Sequence, residues 1–500
     1  MDVVQWTETL LSPIVDAING VLWNYVLVAV LPLVGVWFSL RLGFIQVRRF
    51  PNMIRGLVRG TGGDNAGISP LQSLATSLAS RVGTGNLVGV ALALGVGGPG
   101  AIFWMWVAAF FGMSTAYVES TLAQLYKRRD VHGHYRGGPA LYMAHGLGRR
   151  WLAAAFSICL ILAFGFVFSA VQANSLTEAV TVAWGVPPGW TAIALVAFAA
   201  PVIFGGLRRV ARAAELIIPA MALVYLALAL WVVVSHITEV PAAIGLILRS
   251  AFGLEQAAGG MLGGLAVALL NGVKRGLFSN EAGMGSAPNI AASATPSPHH
   301  PASQGLVQAF GVFVDTLLIC TATALMILFS GVLGTEAGDG AALTQQAMAI
   351  HFGDWGPTFI AVALFFFAGT SILGNYAYAE SAMVYLGGRT RAILLLRIGS
   401  LAMVAWGAFA QLDIVWNTAD AAMGLMAMFN LFAVLMLSGV AIRLTRDYDA
   451  QLRAGNASPR FDAAAFPELG EGIDRSIWTA APGEATGREG DGVAADALRR

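Results

Sequence analysis

Runs of about twenty apolar residues, separated by short polar connections, recur along most of this chain. Candidate runs lie near 21–42, 70–95, 98–126, 151–183, 189–206, 212–236, 257–292, 304–333, 356–386, 391–413 and 417–444. A hydrocarbon core of ~30 Å needs ~20 apolar residues per helix. The pattern therefore predicts an all-α polytopic membrane protein with about eleven transmembrane helices. Of the 500 residues, 57% are hydrophobic and 11% are charged. Soluble proteins carry roughly 25% charged residues, so the charged surface that a soluble chain of this length needs is missing. A net charge of +1 leaves no global field to attract nucleic acid. Cys159 and Cys320 both lie in apolar runs and are expected to be small buried hydrophobes, not a disulfide or a metal site. Residues 1–20 have no basic start followed by a short apolar core, so no removable signal peptide is expected.

Orientation follows from Lys and Arg in the connections. Arg48, Arg49, Arg55 and Arg59 follow the first run, and Lys127, Arg128, Arg129, Arg136, Arg149 and Arg150 come two runs later. Arg208, Arg209 and Arg212, then Arg389 and Arg391, then Arg443 and Arg446 continue the alternation. The intervening connections lack basic residues at 96–97 and 184–188, and 334–355 carries only Glu336, Asp339 and Asp354 among its Asp, Glu, Lys and Arg. This pattern predicts a periplasmic N-terminal segment (1–20), a transmembrane domain (21–445) and a cytoplasmic C-terminus. The connection near 293–303 departs from the pattern, with His299 and His300 in place of Lys or Arg. From 446 to 500 apolar periodicity stops and Asp, Glu, Gly, Ala and Arg dominate, which predicts a disordered cytoplasmic tail.

Two runs are interrupted. The second contains SLASRVGTGNLVGVALALGVGGPG, Ser77 to Gly100, and the seventh contains NGVKRGLFSNEAGMGSAPN, Asn271 to Asn289. Arg81, Asn86 and Gly89 share their spacing with Arg275, Asn280 and Gly283. The segments open two successive groups of five runs, about 70–236 and 257–444, and an odd number inverts the second group relative to the first. Glycine-interrupted spans at corresponding positions of inverted halves point to the binding site of a secondary transporter. A helix broken within the membrane frees backbone groups that must line a cavity or be buried in protein. Freed N–H groups suit a carboxylate and freed carbonyls suit a small cation. Close helix packing is the competing account of the glycines, and it suffices for Gly259, Gly260, Gly263 and Gly264.

The stretch GGPGAIFWMWVAAFFG, Gly97 to Gly112, resembles the signature of the alanine/glycine:cation symporter family. KRGLFSNEAGMGSAPN, Lys274 to Asn289, resembles its second hallmark, and YRGGPALYM, QANS, GVFVDT and AGTSILGNYAYAE resemble further family stretches. The resemblance covers about 15–445. It implies Na⁺-coupled, in some members H⁺-coupled, import of alanine, glycine or similar amino acids. It also implies a five-plus-five inverted-repeat fold with one extra N-terminal helix, and a bacterial inner-membrane location.

Family pattern and backbone logic together place the substrate carboxylate near the N–H groups of Thr84, Gly85 and Asn86. By resemblance Gln172 contacts the substrate and Phe168, one turn away, shapes the pocket; alone, Phe168 reads as core or lipid-facing. Asn280 joins this set as the counterpart of Asn86 in the second broken run. Thr370 and Ser371 are expected to complete a Na⁺ site with carbonyls near Ala79 and Val82; without the resemblance, two intramembrane hydroxyls read as bonded to their own helix. The family usually has an aromatic residue, often Trp, where this chain has Asn375. That exchange implies a larger, more polar cavity suited to serine or glutamine, and Asn375→Trp is expected to shift preference toward alanine and glycine.

Glu119, Glu178, Lys274, Arg275, Glu281, Asp315 and Glu380 lie in or near the runs, where charges usually face the protein interior. Lys274, Arg275 and Glu281 suggest a gate or an internal ion pair; Asp315 and Glu281 are also candidates for a proton relay. No Walker loop, HExxH or nucleophile elbow supports an enzyme. His132 with His134, and His299 with His300, read as solvated loop residues, not metal sites. A passive channel needs a continuous polar pore instead of paired broken spans, and a sensor that has lost transport would not need these intact motifs. No organic cofactor and no oligomer is required, Na⁺ serving as the coupling ion.

Overall fold

A computed structural model of the chain describes residues 3–59, 66–130, 133–205, 207–253, 264–335 and 340–478. The side chains of Arg59, Arg208, Arg209 and Arg212 lie outside the described residues, as do His132, Gly259, Gly260, Gly263, Glu336, Asp339 and residues 479–500. The principal helices are α1 (Thr7–Arg41), α2 (Pro70–Arg81), α3 (Gly85–Gly97), α4 (Gly100–Leu125), α5 (Arg150–Trp184), α6 (Pro188–Ile203), α7 (Leu207–Ser235), α8 (Val240–Ala251), α9 (Gly264–Asn280), α10 (Pro301–Ser330), α11 (Trp355–Tyr385), α12 (Thr390–Phe409), α13 (Leu412–Met436) and α14 (Ser438–Arg453). Strand structure among the described residues is one antiparallel pair, β1 (Arg128–Arg129) with β2 (Tyr135–Arg136).

Seven of these helices are long and apolar enough to cross a membrane, or nine spans if each bent pair counts as one. The bent pairs are α2 with α3, at 54°, and α7 with α8, at 100°. In lipid the backbone must be satisfied within the protein, and the helix ends carry that signature. Ser69 and Gln72 form a capping box ahead of Pro70, which starts α2 where its missing N–H costs nothing. Gly185 ends α5 in the left-handed conformation.

Packing divides the helices into two groups. The helix α4 lies against α9 and α10, while α5 lies against α11 and α12. Between them α2 touches both α10 and α11, so the bend at 82–84 sits where the groups meet. Among the described residues five π-helical turns widen the regular spacing, and three of them, at Gly85–Gly89, Ile161–Val167 and Phe313–Cys320, border that bend or lead into its neighbours. Such widened turns concentrate at functional sites.

Four expectations from sequence need correction. Residues 3–21 are helical and run into the first span instead of forming a separate segment, because apolar and small residues continue the helical pattern N-terminal to Val21. The seventh run breaks late: α9 continues to Asn280, turns replace it, and a short helix resumes at Pro288–Ala291. The described part of the tail, to residue 478, is folded onto the bundle. After α14, Phe461, Ile473, Ile477 and Trp478 are buried in the main core, and the Trp478 indole N–H donates to Leu125 O at 3.2 Å. Aromatic and aliphatic residues spaced through a polar segment supply enough apolar surface to dock it, although no single stretch is periodic. His300, read as a solvated loop residue, is fully buried at the start of α10 and contacts Asp447 of α14.

Candidate functional site

The bend between α2 and α3 falls at Val82–Thr84: the Val82 N–H still donates to Leu78 O at 2.7 Å, and the next two amides find side-chain acceptors. Gly83 N–H donates to Asn86 Oδ1 at 2.9 Å and Thr84 N–H to Gln172 Oε1 at 3.2 Å. Two side-chain amide oxygens therefore sit against the freed N–H groups of the bend. Gly83 has no room for a side chain, because a Cβ would collide with Ser371 Oγ and lie 2.9 Å from Gln172 Oε1. Thr84 is fully buried, and its Oγ1 has no hydrogen-bond partner among the described residues. Gly85 lies against the ring of Phe278.

The second break faces the first. Asn280 Oδ1 accepts from Ala282 N–H at 3.0 Å, as Asn86 Oδ1 does from Gly83 N–H, so each asparagine caps its own break. Glu281 has a left-handed backbone with φ 58°, and Gly283 and Gly285 follow at φ 94° and 79°. Glycine supplies these conformations without steric cost. Gly283 N–H donates to Glu119 Oε1 at 3.3 Å, and its carbonyl accepts from Asn430 Nδ2 at 2.9 Å. Asn430 also donates to Glu119 Oε2 at 2.7 Å and accepts from Tyr142 Oη. Across the junction, Asn86 Nδ2 donates to Ser279 Oγ at 3.2 Å and to Asp315 Oδ1 at 2.8 Å. Asp315 Oδ2 accepts from Ser279 Oγ at 2.5 Å and Thr316 Oγ1 at 2.8 Å.

An aromatic column covers one side of the bend. Phe164, Phe168 and Phe278 stack with centroids 4.5 and 4.7 Å apart, and Trp416 lies tilted against Phe278 at 4.6 Å. Arg275 lies 4.8 Å over Trp416 and pairs with Asp420 at 2.6 Å, while Lys274 reaches the same carboxylate at 3.5 Å. The Lys274–Arg275 pair is thus an internal ion-pair element, but its partner is Asp420 on α13, not Glu281. Glu281 instead accepts from Ser80 Oγ at 2.7 Å and Ser286 Oγ at 2.5 Å.

The hydroxyls on α11 differ in direction. Ser371 Oγ lies 3.5 Å from Val82 O, across the gap between α11 and the bend. Thr370 Oγ1 donates within its own helix, to Phe366 O at 2.9 Å and Phe367 O at 3.1 Å. Ala79 is buried in the last turn of α2, where helix carbonyls lack intrahelical partners. Asn375 lies one turn beyond Ser371 and is fully buried; its Oδ1 lies 2.7 Å from Ser80 Oγ, and its Nδ2 has no partner among the described residues.

The structure thus brings Val82, Thr84, Gly85, Asn86, Phe168, Gln172, Asn280 and Ser371 around one junction, turns Thr370 away, and sets Asn375 beside the Ser80–Glu281 contact. Sequence reasoning missed Ser80, Ser279, Thr316, Trp416, Asp420 and Asn430. A lone Asn or Asp in an apolar run, such as Asp420 or Asn430, was the available signal. A 180 Å³ cavity opens between β1, β2 and the ends of α5 and α11, lined among others by Arg128, Phe156, Asn289 and Tyr385.

Residues 8–463 match the sodium:alanine symporter family. The chain is 47% identical to an uncharacterized transporter of Haemophilus influenzae, over 94% of this chain and 98% of the other. It is 46% identical to the probable sodium/glutamine symporter GlnT of Bacillus subtilis, over 90% and 93% of the two chains. It is 39% identical to the sodium/alanine symporter AgcS of Methanococcus maripaludis, over 87% and 97%. An integral membrane chain with two facing helix breaks, matched almost end to end by these carriers, belongs to the sodium:alanine symporter family.

Proposed function

We propose that the protein imports a small neutral amino acid, alanine, glycine or a more polar one such as serine or glutamine, by symport with Na⁺. The supporting observation is the junction itself: the Thr84 amide facing Gln172, and Ser371 Oγ facing Val82 O, within one buried volume. In this reading the substrate carboxylate displaces Gln172 Oε1 from the bend, and Gln172 turns its amide N–H₂ toward the ligand. Na⁺ sits between α11 and the bend, using Ser371 Oγ and the carbonyls of Val82 and Ala79, with Thr370 recruited by a side-chain rotation. Helix-terminal N–H groups and carbonyls suit these opposite charges.

The architecture that goes with this reading is eleven spans, one ahead of two inverted sets of five, with the N-terminus periplasmic and the C-terminus cytoplasmic in a bacterial inner membrane. The groups α4–α9–α10 and α5–α11–α12 then rock against each other around the junction. The aromatic column and the Arg275–Asp420 pair close the periplasmic side, and the cavity at Arg128 and Asn289 lies on the cytoplasmic path. The unpartnered Thr84 Oγ1 and Asn375 Nδ2 favour a substrate with hydrogen-bonding capacity beyond its backbone. The name of the 46% identical GlnT is consistent with that preference.

A second reading, proton coupling, is favoured by one observation. Glu119, Glu281 and Asp315 are all buried near the junction, and Arg81 is the cation whose field they share. Three carboxylates around one guanidinium leave negative charge that a proton or a cation can neutralise. Uptake of labelled alanine into proteoliposomes, with Na⁺, K⁺ or a pH gradient imposed and unlabelled glycine, serine and glutamine as competitors, separates the readings. Accumulation with Na⁺ alone supports the proposal. Accumulation with pH alone moves the coupling site to these carboxylates, and downhill equilibration under every gradient makes the protein a passive channel.

A further inference from the structure

Arginines from opposite ends of the chain converge on a groove that the transport reading does not use. Arg41 at the end of α1, Arg48 and Arg49 just beyond it, and Arg446 and Arg453 of α14 line a 490 Å³ recess. Asp449 is the one carboxylate in its lining, and it is shared by two of them: Arg48 Nη1 and Arg49 Nη2 each lie 2.7 Å from its oxygens. Five arginines against one carboxylate leave four positive charges. Among the described residues, no carboxylate lies within ion-pair distance of Arg41, Arg446 or Arg453.

The groove opens beside an apolar surface. Trp37, Leu40, Phe44 and Val47, on the same stretch of chain as Arg41, Arg48 and Arg49, are exposed. The Arg41 guanidinium lies 5.2 Å over the Trp37 ring, an arrangement suited to the boundary between hydrocarbon and headgroups. Arginines needed only to orient a protein in the membrane can lie anywhere in a connection. Here residues 41–49 and 446–453 meet in one recess, and the repulsion between them is offset by a single aspartate. A phosphate fits that excess, because a guanidinium binds it through paired N–H donors. Acyl chains attached to the phosphate would lie along the apolar surface at Leu40 and Val47.

We propose that this groove binds the phosphate-bearing headgroup of an anionic membrane phospholipid, which bridges the end of α1 to the C-terminal helix α14. The bound lipid holds α14, and with it the docked segment to residue 478, against the helix bundle. The site stands independently of which substrate or ion the protein carries.

The test uses the full chain purified in detergent and reconstituted in vesicles of phosphatidylcholine alone or of an equal mixture with phosphatidylglycerol. Lipid co-purifying after re-extraction is counted by native mass spectrometry, and thermal unfolding is followed in parallel. The wild type is expected to retain phosphatidylglycerol in preference to phosphatidylcholine and to melt higher with it. Each basic residue near an anionic surface contributes about 1 kcal/mol, so the triple variant R41Q/R446Q/R453Q should bind the lipid on the order of a hundredfold more weakly. R41K/R446K/R453K, which keeps the charge but loses the paired donors, should bind more weakly than the wild type and more tightly than the glutamine variant. If the glutamine triple variant is not recovered folded, R446Q/R453Q, both exposed positions on α14, carries the same comparison. Equal retention of the two lipids, or equal phosphatidylglycerol binding by wild type and variant, overturns the proposal. Inorganic phosphate raising the melting temperature as much as the lipid does also overturns it, since the groove would then be a site for a soluble anion.

Discussion

At the scale of single residues, the junction separates side chains that sequence treats alike. Thr370 and Ser371 are adjacent hydroxyls, yet only Ser371 faces the bend. Loss of one oxygen ligand worth ~1.5 kcal/mol corresponds to roughly tenfold in affinity. Ser371→Ala should therefore raise the Na⁺ concentration for half-maximal uptake about tenfold, while Thr370→Ala should change it less; equal effects would count against the assigned geometry. Gly83→Ala places a methyl against Ser371 Oγ and Gln172 Oε1. Both neighbours are side-chain ends that can give way, so folding should survive while Na⁺-dependent alanine uptake is lost. Melting temperature and flux, measured on the same preparation, check that split. At Asn375, the near-isosteric Asn375→Leu removes the free Nδ2 and the acceptor beside Ser80. Competition by glutamine and serine should weaken relative to glycine, and an unchanged competition order would remove Asn375 from specificity.

At the scale of elements, the docked C-terminal segment has a titratable fastening. Ala302 N–H donates to His300 Nδ1 at 3.0 Å, so Nε2 carries the proton and faces Asp447 Oδ2 at 3.1 Å. Burial holds the His300 pKa below its ordinary value of 6.5, with Asp447 opposing the shift. Protonating Nδ1 would put a donor against the Ala302 N–H and remove the cap. A lowered pKa means the released segment binds more protons than the docked one. Docking is therefore fully supported above about pH 6.5 and weakens as pH falls from there toward the depressed pKa. Limited proteolysis across 446–478 should accelerate on acidification through that range, and His300→Asn should flatten the dependence. The ion-pair element predicts a different asymmetry. Asp420→Asn strands both Lys274 and Arg275, whereas R275Q/D420N strands Lys274 alone. Removing one partner of a buried pair costs about 3–5 kcal/mol, so the single variant should melt below the double.

At the scale of the whole molecule, ion-coupled transport needs a site reached from one side at a time. The aromatic column and Arg275–Asp420 cover the junction on one side; in the proposed reading the cavity at Arg128 is the path on the other. A tenfold Na⁺ gradient supplies about 1.4 kcal/mol and 100 mV about 2.3 kcal/mol per charge, so one Na⁺ supports accumulation of roughly a few hundredfold. Proteoliposomes should reach a limit of that order with both driving forces imposed, and a limit near unity would exclude coupling.

Much of this was legible in the residues. Helical membrane character follows from apolar run length, because lipid allows few other solutions for a spanning backbone. The two broken segments follow from glycine and polar residues inside those runs, and family membership follows from motifs that fill them. Tertiary structure alone decided what meets across the breaks. Glu119 and Asn430 cap Gly283 from helices far apart in sequence, Asp420 takes the two cations expected near Glu281, and Asn375 turns to Ser80. It alone placed His300 and Trp478 in the interior, since their burial depends on distant surfaces. Periodicity reports the environment along one helix. The direction in which Thr370 or Ser371 points is set by helices packed from both groups, and no local pattern carries that information.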